Sequence, residues 1–549
     1  MPQNNEGGLF SPISHWLDTN CWALCREMRL SYLPPLMVYL AAGISGLTGI
    51  VGTFYVKERL GLSAEFLAAL GFWLMLPWAL KMPLGHLVDL IWRWKGFLVY
   101  LGAALIAASL FIMIGLLSDP VAMERFAPME AWYVTSALLA PIGYVLQDVV
   151  ADAMTVEAVP RFELDGTPID QARRKSMHTT MQTLGRVAII SGVFIVSIPQ
   201  LWLLHGASGL SESKTAALYV VVYELALIIP VISVFGVFFA TWLRRKAINR
   251  LMAEGHSISQ CVAMVDNHGE PPPVNWWILG GGLAFTVVSL SIGLLRIPGA
   301  EEIVFIVSMT IVTFLMWRLT RELEPAARNV LVGTAIIIFV YRAMPGPGAG
   351  QTWWMIDSLG FDQFFLAVLG VIGSFLTLFG LFLFRRFMAE RSIAYVIGFL
   401  TVTGTFLSAP IIGMFYGLHE WTAALTGGVV DARFIVLVDT ALDSPLGQIA
   451  MVPMLAWIAN SAPEKLKATF FAVMASFTNL ALSAAQLGTK YLNQAFAVTR
   501  EVKDRASGQI SVPADYSELG MLMIVVTVIG LALPFLAIAL IRLTRFRDA

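Results

Sequence analysis

Apolar runs of about 20 residues, the length that crosses a bilayer as a helix, follow one another along almost the whole chain. They predict spanning helices over 32–54, 64–82, 97–117, 131–157, 182–204 and 217–242, then 276–295 and 301–317. Six more follow over 327–343, 362–383, 393–416, 433–458, 467–494 and 519–542. The count is about fourteen. The run at 301–317 is the weakest, since it is short and opens on Glu301 and Glu302. Ahead of the first run, residues 10–31 mix Phe10, Trp16 and Trp22 with Arg26 and Arg29, a pattern that predicts a short helix lying on the membrane surface.

The basic residues between runs orient the chain, because Lys and Arg collect on the cytoplasmic side. With the N-terminus inside, the inside loops hold Arg93 and Lys95, then Arg173, Arg174 and Lys175, then Arg244, Arg245 and Lys246. Arg318, Arg321 and Arg328 follow, then Arg385, Arg386 and Arg391, and finally Arg542, Arg545 and Arg547. Dropping one span between 243 and 326 would move the later clusters outside, so the pair there stands or falls together. The expected organisation is a cytoplasmic segment 1–31 with its interfacial helix, a six-helix half 32–242, and a cytoplasmic linker 243–275 carrying Pro271, Pro272 and Pro273. An inserted helix pair 276–326 and a second six-helix half 327–549 complete it. Both termini are then cytoplasmic, and the expected location is the plasma (inner) membrane.

Composition agrees with this pattern. Of 549 residues, 57% are hydrophobic and 13% charged, against about 25% charged in soluble domains; the mean hydropathy is +0.74. A net charge of -1 argues against a nucleic-acid partner. Cys21, Cys25 and Cys261 lack the His and Cys company of a metal site and show no obvious disulfide pairing. No basic n-region precedes an apolar core, so no cleaved signal peptide is expected. No nucleophile–base pair or metal-ligand spacing is present, so neither an enzyme nor a cofactor is expected. The expected partners are a small-molecule solute and membrane lipid, and the expected functional unit is a monomer.

Four places carry chemistry. In "KMPLGHLVDLIWRWKG", residues 81–96, Gly85 allows close helix approach. Asp89, Arg93 and Lys95 offer a charged latch between halves, the alternative being a generic charged turn. In "YVLQDVVADAMTVEAVPR", residues 144–161, Asp148 and Asp152 share one helical face with Tyr144 and Thr155, while Glu157 points elsewhere near the cytoplasmic end. Each aspartate near a helix centre costs about 2.5–3.5 kcal/mol. Arg186 on the next span is the expected counter-charge, and the pair serves either proton coupling or a structural ion pair. In "FVYRAMPGPGAGQTWWMIDSLGF", residues 339–361, Arg342 lies near the outer end of its span. It either holds an anionic group or snorkels to the interface. Pro345, Gly346, Pro347 and Gly348 break the helix after it, and Trp353 and Trp354, like Tyr144, offer faces to a flat ring. Asp439 and Asp443 are spaced i, i+4. On the following span Thr469, Ser476, Asn479, Ser483, Gln486 and Lys490 form one polar stripe, which is either glue between helices or a cavity wall. Arg342 with Lys490 is the expected carboxylate site, and Asp439, Asp443, Asn479, Gln486 and Tyr144 are expected to complete the substrate pocket.

These places together resemble the folate–biopterin transporter family of the major facilitator superfamily. "LPWALKMPLGHLVD" resembles its second span and first loop motif. "ADAMTVE" resembles its D-A-x-x-x-E signature, on Asp152, Ala153 and Glu157. "SLGFDQFFLAVLGVIG" resembles the entry to a later span. "VPMLAWIANSAPEKLKATFFAVMASFTNLA" resembles the stretch with the Pro463–Glu464 turn, Ala468, Thr469 and Asn479. The resemblance runs from about residue 30 to 540. It implies an all-α membrane protein of the major facilitator fold, with two six-helix halves around the inserted central pair. It also implies transport of folates or pterins, often coupled to protons. Two features depart from the family pattern: the pair at 276–317 is extra, and Leu466-Lys467-Ala468-Thr469 lacks the family's acid. A carrier for another amphipathic metabolite or drug, and a non-transporting assembly factor on the same scaffold, remain the alternatives.

Overall fold

Among the described residues, twelve helices are long and apolar enough to cross a membrane. The computed structural model describes residues 26–549 except 161–166, 168, 266–272, 296, 322, 452, 455–456, 458–466, 504–508, 545 and 547–549. The expected surface helix therefore lies mostly outside the described residues, as do Cys21, Cys25 and the Pro463–Glu464 turn. Cys261 is a buried free thiol.

The first six spans are α1 (Leu30–Arg59), α2 (Ala64–Leu90), α3 (Gly96–Ser118), α4 (Met129–Ala158), α5 (Thr180–Gly209) and α6 (Glu212–Ala253). The added pair is α7 (Trp276–Gly293) and α8 (Ala300–Thr320). Then come α9 (Pro325–Arg342), the short α10 (Ala349–Asp357), α11 (Gln363–Leu383) and α12 (Ile393–Phe415). They are followed by α13 (Ala432–Asp443), α14 (Lys467–Ala495) and α15 (Leu519–Leu543). Between α14 and α15 a small antiparallel hairpin, β1 (Val502–Lys503) and β2 (Ile510–Val512), is extended by a bridge between Thr499 and Asp515.

Several expected spans are not continuous helices, among them 433–458 and 327–343. The run 433–458 stops as α-helix at Asp443 and turns through a 3-10 segment, Ser444–Leu446, where Pro445 lacks the N–H a helix needs. The run 327–343 is only the first part of a longer broken span. After Arg342 the chain passes through non-helical residues 344–348 and resumes as α10. Pro345 and Pro347 forbid a continuous ladder there, and Gly348 has φ 77°, a backbone that favours glycine. Arg342 is therefore not at the outer rim as expected. It lies midway along the span, level with Thr478 near the middle of α14.

The spans pack as two bundles that meet along two seams, α2 against α14 and α5 against α11. The added pair closes over the first seam, with α7 on the inner part of α2 and α8 along α14. One apolar cluster runs through it: Phe72, Leu76 and Met82 of α2, Phe285 of α7, Val304 and Val312 of α8, Leu331 of α9, and Phe477 and Leu480 of α14. Lipid supplies no hydrophobic drive between helices, so close backbone approach matters instead. At the crossing of α1 and α5, a Cβ on Gly43 would sit 2.0 Å from the carbonyl oxygen of Ile189. Gly43→Ala is expected to push these helices apart at a cost of about 1–3 kcal/mol, read as a lower melting temperature in detergent. An unchanged melting temperature would mean the crossing is looser than described.

Candidate functional site

A cavity of about 680 Å³ lies between the bundles. Its wall includes Ser45 and Thr48 of α1, Tyr144 of α4, Trp353 of α10, and Gln486 and Thr489 of α14. The breaks in α1 and α9–α10 position this wall. The 3-10 turn Ser45–Thr48 interrupts α1, and the amide of Gly346 donates to Thr489 Oγ1 at 2.9 Å. Trp353 lines the cavity, whereas Trp354 packs on Phe415 away from it. Gln486 reaches Gly71 of α2 and also faces the cavity.

One helical turn along α4 from Tyr144, a charged cluster begins. Lys81 Nζ of α2 lies 2.5 Å from Asp148 Oδ2 and 2.8 Å from Asp152 Oδ2. Tyr39 Oη of α1 donates to Asp152 Oδ1 at 2.5 Å. The side chains of Lys81 and Asp148 are 17% and 18% exposed, so each charge depends on the other for solvation. The counter-charge of the two aspartates is thus Lys81, not Arg186. Arg186 stands further off, within electrostatic reach of Asp148 and Tyr39 but without a hydrogen bond or close ion pair among the described residues.

Arg186 is also within electrostatic reach of Arg342, which approaches from the other bundle. Arg342 Nε donates to the Thr478 carbonyl at 2.9 Å and Nη2 to Asn479 Oδ1 at 3.3 Å, while Nη1 rests near the sulfurs of Met451 and Met454. Asn479 Nδ2 in turn donates to the Trp78 carbonyl of α2 at 3.3 Å. No carboxylate among the described residues pairs with Arg342. Two guanidinium groups, one per bundle, are thus within electrostatic reach of each other, and this suits an anion better than a cation.

The other sequence candidates are placed differently. Lys490 does not join Arg342: it pairs with Glu301 at 3.3 Å and Glu302 at 2.9 Å of α8, and Tyr491 Oη donates to Glu302 at 2.6 Å. Trp73 Nε1 of α2 donates to Glu301 at 3.1 Å, so the acids that weaken the 301–317 run are the anchors of the added pair. The α14 stripe is largely a helix contact. Ser476 Oγ accepts from the Met82 amide, Asn479 reaches Trp78, Ser483 is fully buried, and only Gln486 meets the cavity. The side chain of Thr469 lies outside the described residues. Asp439 is half-buried and Asp443 exposed, with Asp443 in electrostatic reach of Tyr341 beside Arg342. At the expected latch, Lys95 pairs with Glu157 and caps the Trp92 ring at 3.6 Å, contacts that lie within the first bundle. Arg93 is exposed, Asp89 is half-buried with Lys95 in electrostatic reach, and Gly85 lies in the Lys81–Leu90 helix. Glu157, read from sequence as an end charge, is what fixes this turn to α4.

Sequence reasoning passed over Lys81, Tyr39 and the contacts that shut the hairpin end. Lys81 carried a usable signal, a lysine inside an apolar run. Ending that run at residue 82 made it look like the start of a loop.

Two helical bundles with a cavity between them are the architecture of the major facilitator fold. A solved POT family transporter in complex with 5-aminolevulinic acid superposes with a TM-score of 0.59 at 13% identity, covering 93% of this chain and 95% of that one. The BT1 family matches residues 42–548, and the chain belongs to it. It is 22% identical over 484 residues to the folate-biopterin transporter of Synechocystis sp. (86% of this chain, 78% of that one). It is 27% identical over 169 residues to the putative folate transporter 2 of Plasmodium berghei (30% and 34%). The resemblance read from the sequence therefore holds: the chain is a multi-pass membrane transporter of the folate–biopterin family, not an enzyme.

Proposed function

We propose that this protein is a secondary carrier that moves an organic anion, of folate or pterin type, by alternating access coupled to protons. The observation that supports this most is that Arg186 and Arg342, from opposite bundles, are within electrostatic reach of each other and that no carboxylate among the described residues pairs with Arg342. An anionic solute seated there supplies the missing charge and joins the halves 32–242 and 327–549. Tyr144 and Trp353, on the cavity wall, offer faces for a flat ring. The relatives, a folate-biopterin transporter and a putative folate transporter, fit that chemistry.

Coupling is assigned to Lys81, Asp148 and Asp152. Two carboxylates against one ammonium leave a surplus negative charge, and a single proton cancels it. Protonation loosens the hold of Lys81 on α4 and so ties proton occupancy to the seam between α2 and α14. The carrier works as a monomer in the plasma membrane, with lipid around it. The basic clusters place both termini inside and the hairpin end outside.

The test is uptake of folic acid into proteoliposomes under an imposed pH gradient. Asp148→Asn and Asp152→Asn are each expected to abolish stimulation by the gradient while exchange of folic acid for folic acid persists. If both variants keep full gradient-driven uptake, the coupling assignment fails. If folic acid is not moved but another flat anion competes and moves, the family-type substrate is wrong and the anion site stands.

A further inference from the structure

At the hairpin end the two bundles are tied by polar bridges. Lys57 Nζ, at the end of α1, lies 2.5 Å from Asp357 Oδ1, at the end of α10. Tyr516 Oη donates to the other oxygen of Asp357 at 2.6 Å. Gln494 Nε2 donates to Glu65 at 2.6 Å, and Gln363 Nε2 to Tyr219 Oη at 3.1 Å. Asp357 thus has both its oxygens engaged.

Arg500, just before β1, is carried into this closure. It is 4% exposed, its Nη1 donates to the Lys57 carbonyl, and its guanidinium lies 5.3 Å from the centre of the Trp353 ring. Among the described residues, Nε and Nη2 are buried with no hydrogen-bond partner. Asp357 is near enough to act on it electrostatically but is spent on Lys57 and Tyr516. Burial lowers the pKa of Arg500 from its ordinary value, with Tyr516 and Asp357 opposing. A guanidinium with two unmatched buried donors is costly to keep. The indole beneath it is the same one that lines the cavity.

We propose that Arg500 is an anion-receiving site at the hairpin end. When Lys57 and Asp357 part, the unmatched nitrogens of Arg500 and the freed ammonium of Lys57 meet the carboxylate or phosphate of a solute whose flat ring enters against Trp353. The inference rests on the carrier reading and adds a first contact beside Trp353 of α10. The closed state leaves Nε and Nη2 of the guanidinium unmatched among the described residues, so an arriving anion gains donors that these residues leave open.

The test is concentration-dependent uptake of folic acid into proteoliposomes, with orientation scored by protease cleavage of the hairpin. For entry from the hairpin end, Arg500→Gln is expected to raise the half-saturating concentration about tenfold or more, with little change in the saturated rate. Entry from the opposite end is expected to change less. Arg500→Lys is expected to fall between. Asp357→Asn, which releases Lys57 and favours opening, is expected to lower the half-saturating concentration from the hairpin end, because a larger fraction of carriers is then competent to bind. If wild type transports and Arg500→Gln leaves half-saturation unchanged, the site is refuted while the carrier reading survives. An unchanged or raised value for Asp357→Asn refutes it too, even if the Arg500 variants fail to fold. No transport by wild type for any flat anion removes the carrier reading itself.

Discussion

Lys81→Met is expected to lower the stability of the folded protein by about 3 kcal/mol and to abolish gradient-driven uptake. Lys81 is the single close cation of Asp148 and Asp152 among the described residues, and all three side chains are largely shielded from water. Removing it leaves two carboxylates a helical turn apart with like charge and only the more distant Arg186 to offset them. Tyr39 supplies one hydrogen bond to Asp152 but no charge. The loss should be largest where both carboxylates are ionised and smaller in acid, where one proton relieves the repulsion. The triple variant Lys81→Met, Asp148→Asn, Asp152→Asn separates the two consequences. Neutral side chains of similar size remove the buried charge imbalance, so melting is expected to recover toward wild type while coupling stays lost. Thermal unfolding in detergent and pH-gradient uptake read the two quantities. If Lys81→Met melts like wild type, the cluster is better solvated than its burial implies, and its proposed grip on α4 is wrong.

The sequence and the structure divide along physical lines. Spanning helices were legible because the bilayer imposes length and apolarity on each one locally, as in Gly96–Ser118 and Leu519–Leu543. The break after Arg342 was legible too, because Pro345, Gly346, Pro347 and Gly348 act on their own backbone. The family was legible in Asp152, Ala153 and Glu157. Partnerships were not, because they are set by which helices meet. Arg186 is closer than Lys81 to Asp148 in sequence and sits on the neighbouring span, yet the packing of α2 against α4 gives the pair to Lys81. Glu301 and Glu302 looked like a flaw in a weak span. With Lys490 and Trp73 facing them, they are the polar anchor that holds the added pair across the seam of α2 and α14. Arg342 was recognised but misplaced in depth. A helix ending at an arginine reads as a membrane boundary, and only the resumption of the span as α10 shows that it is not.

Depth is what makes Arg342 the second residue whose loss should be severe. Arg342→Ala is expected to reduce uptake of folic acid about 100-fold or more and to erase the thermal stabilisation that folic acid gives to wild type. Its effect on the stability of the empty protein should be small, unlike that of Lys81→Met. Arg342 is held by the Thr478 carbonyl and by Asn479, and faces Arg186 rather than a carboxylate. Truncating it removes one of two repelling charges, and the loss of two hydrogen bonds to neutral acceptors offsets that relief. The melting temperature without ligand should therefore change little. Arg342→Lys is not a conservative change here. An ammonium cannot donate through Nε to Thr478 and through Nη2 to Asn479 while keeping a further donor for a carboxylate. It is expected to lose about tenfold in uptake. A residue that merely braces α9 against α14 would lower stability and uptake together, and lysine would then rescue much of both. Melting with and without folic acid, beside initial uptake rates for the two variants, distinguishes the cases. A large drop in the ligand-free melting temperature of Arg342→Ala, with the folic acid shift retained, would make Arg342 a strut and leave Arg186 without its partner in anion binding.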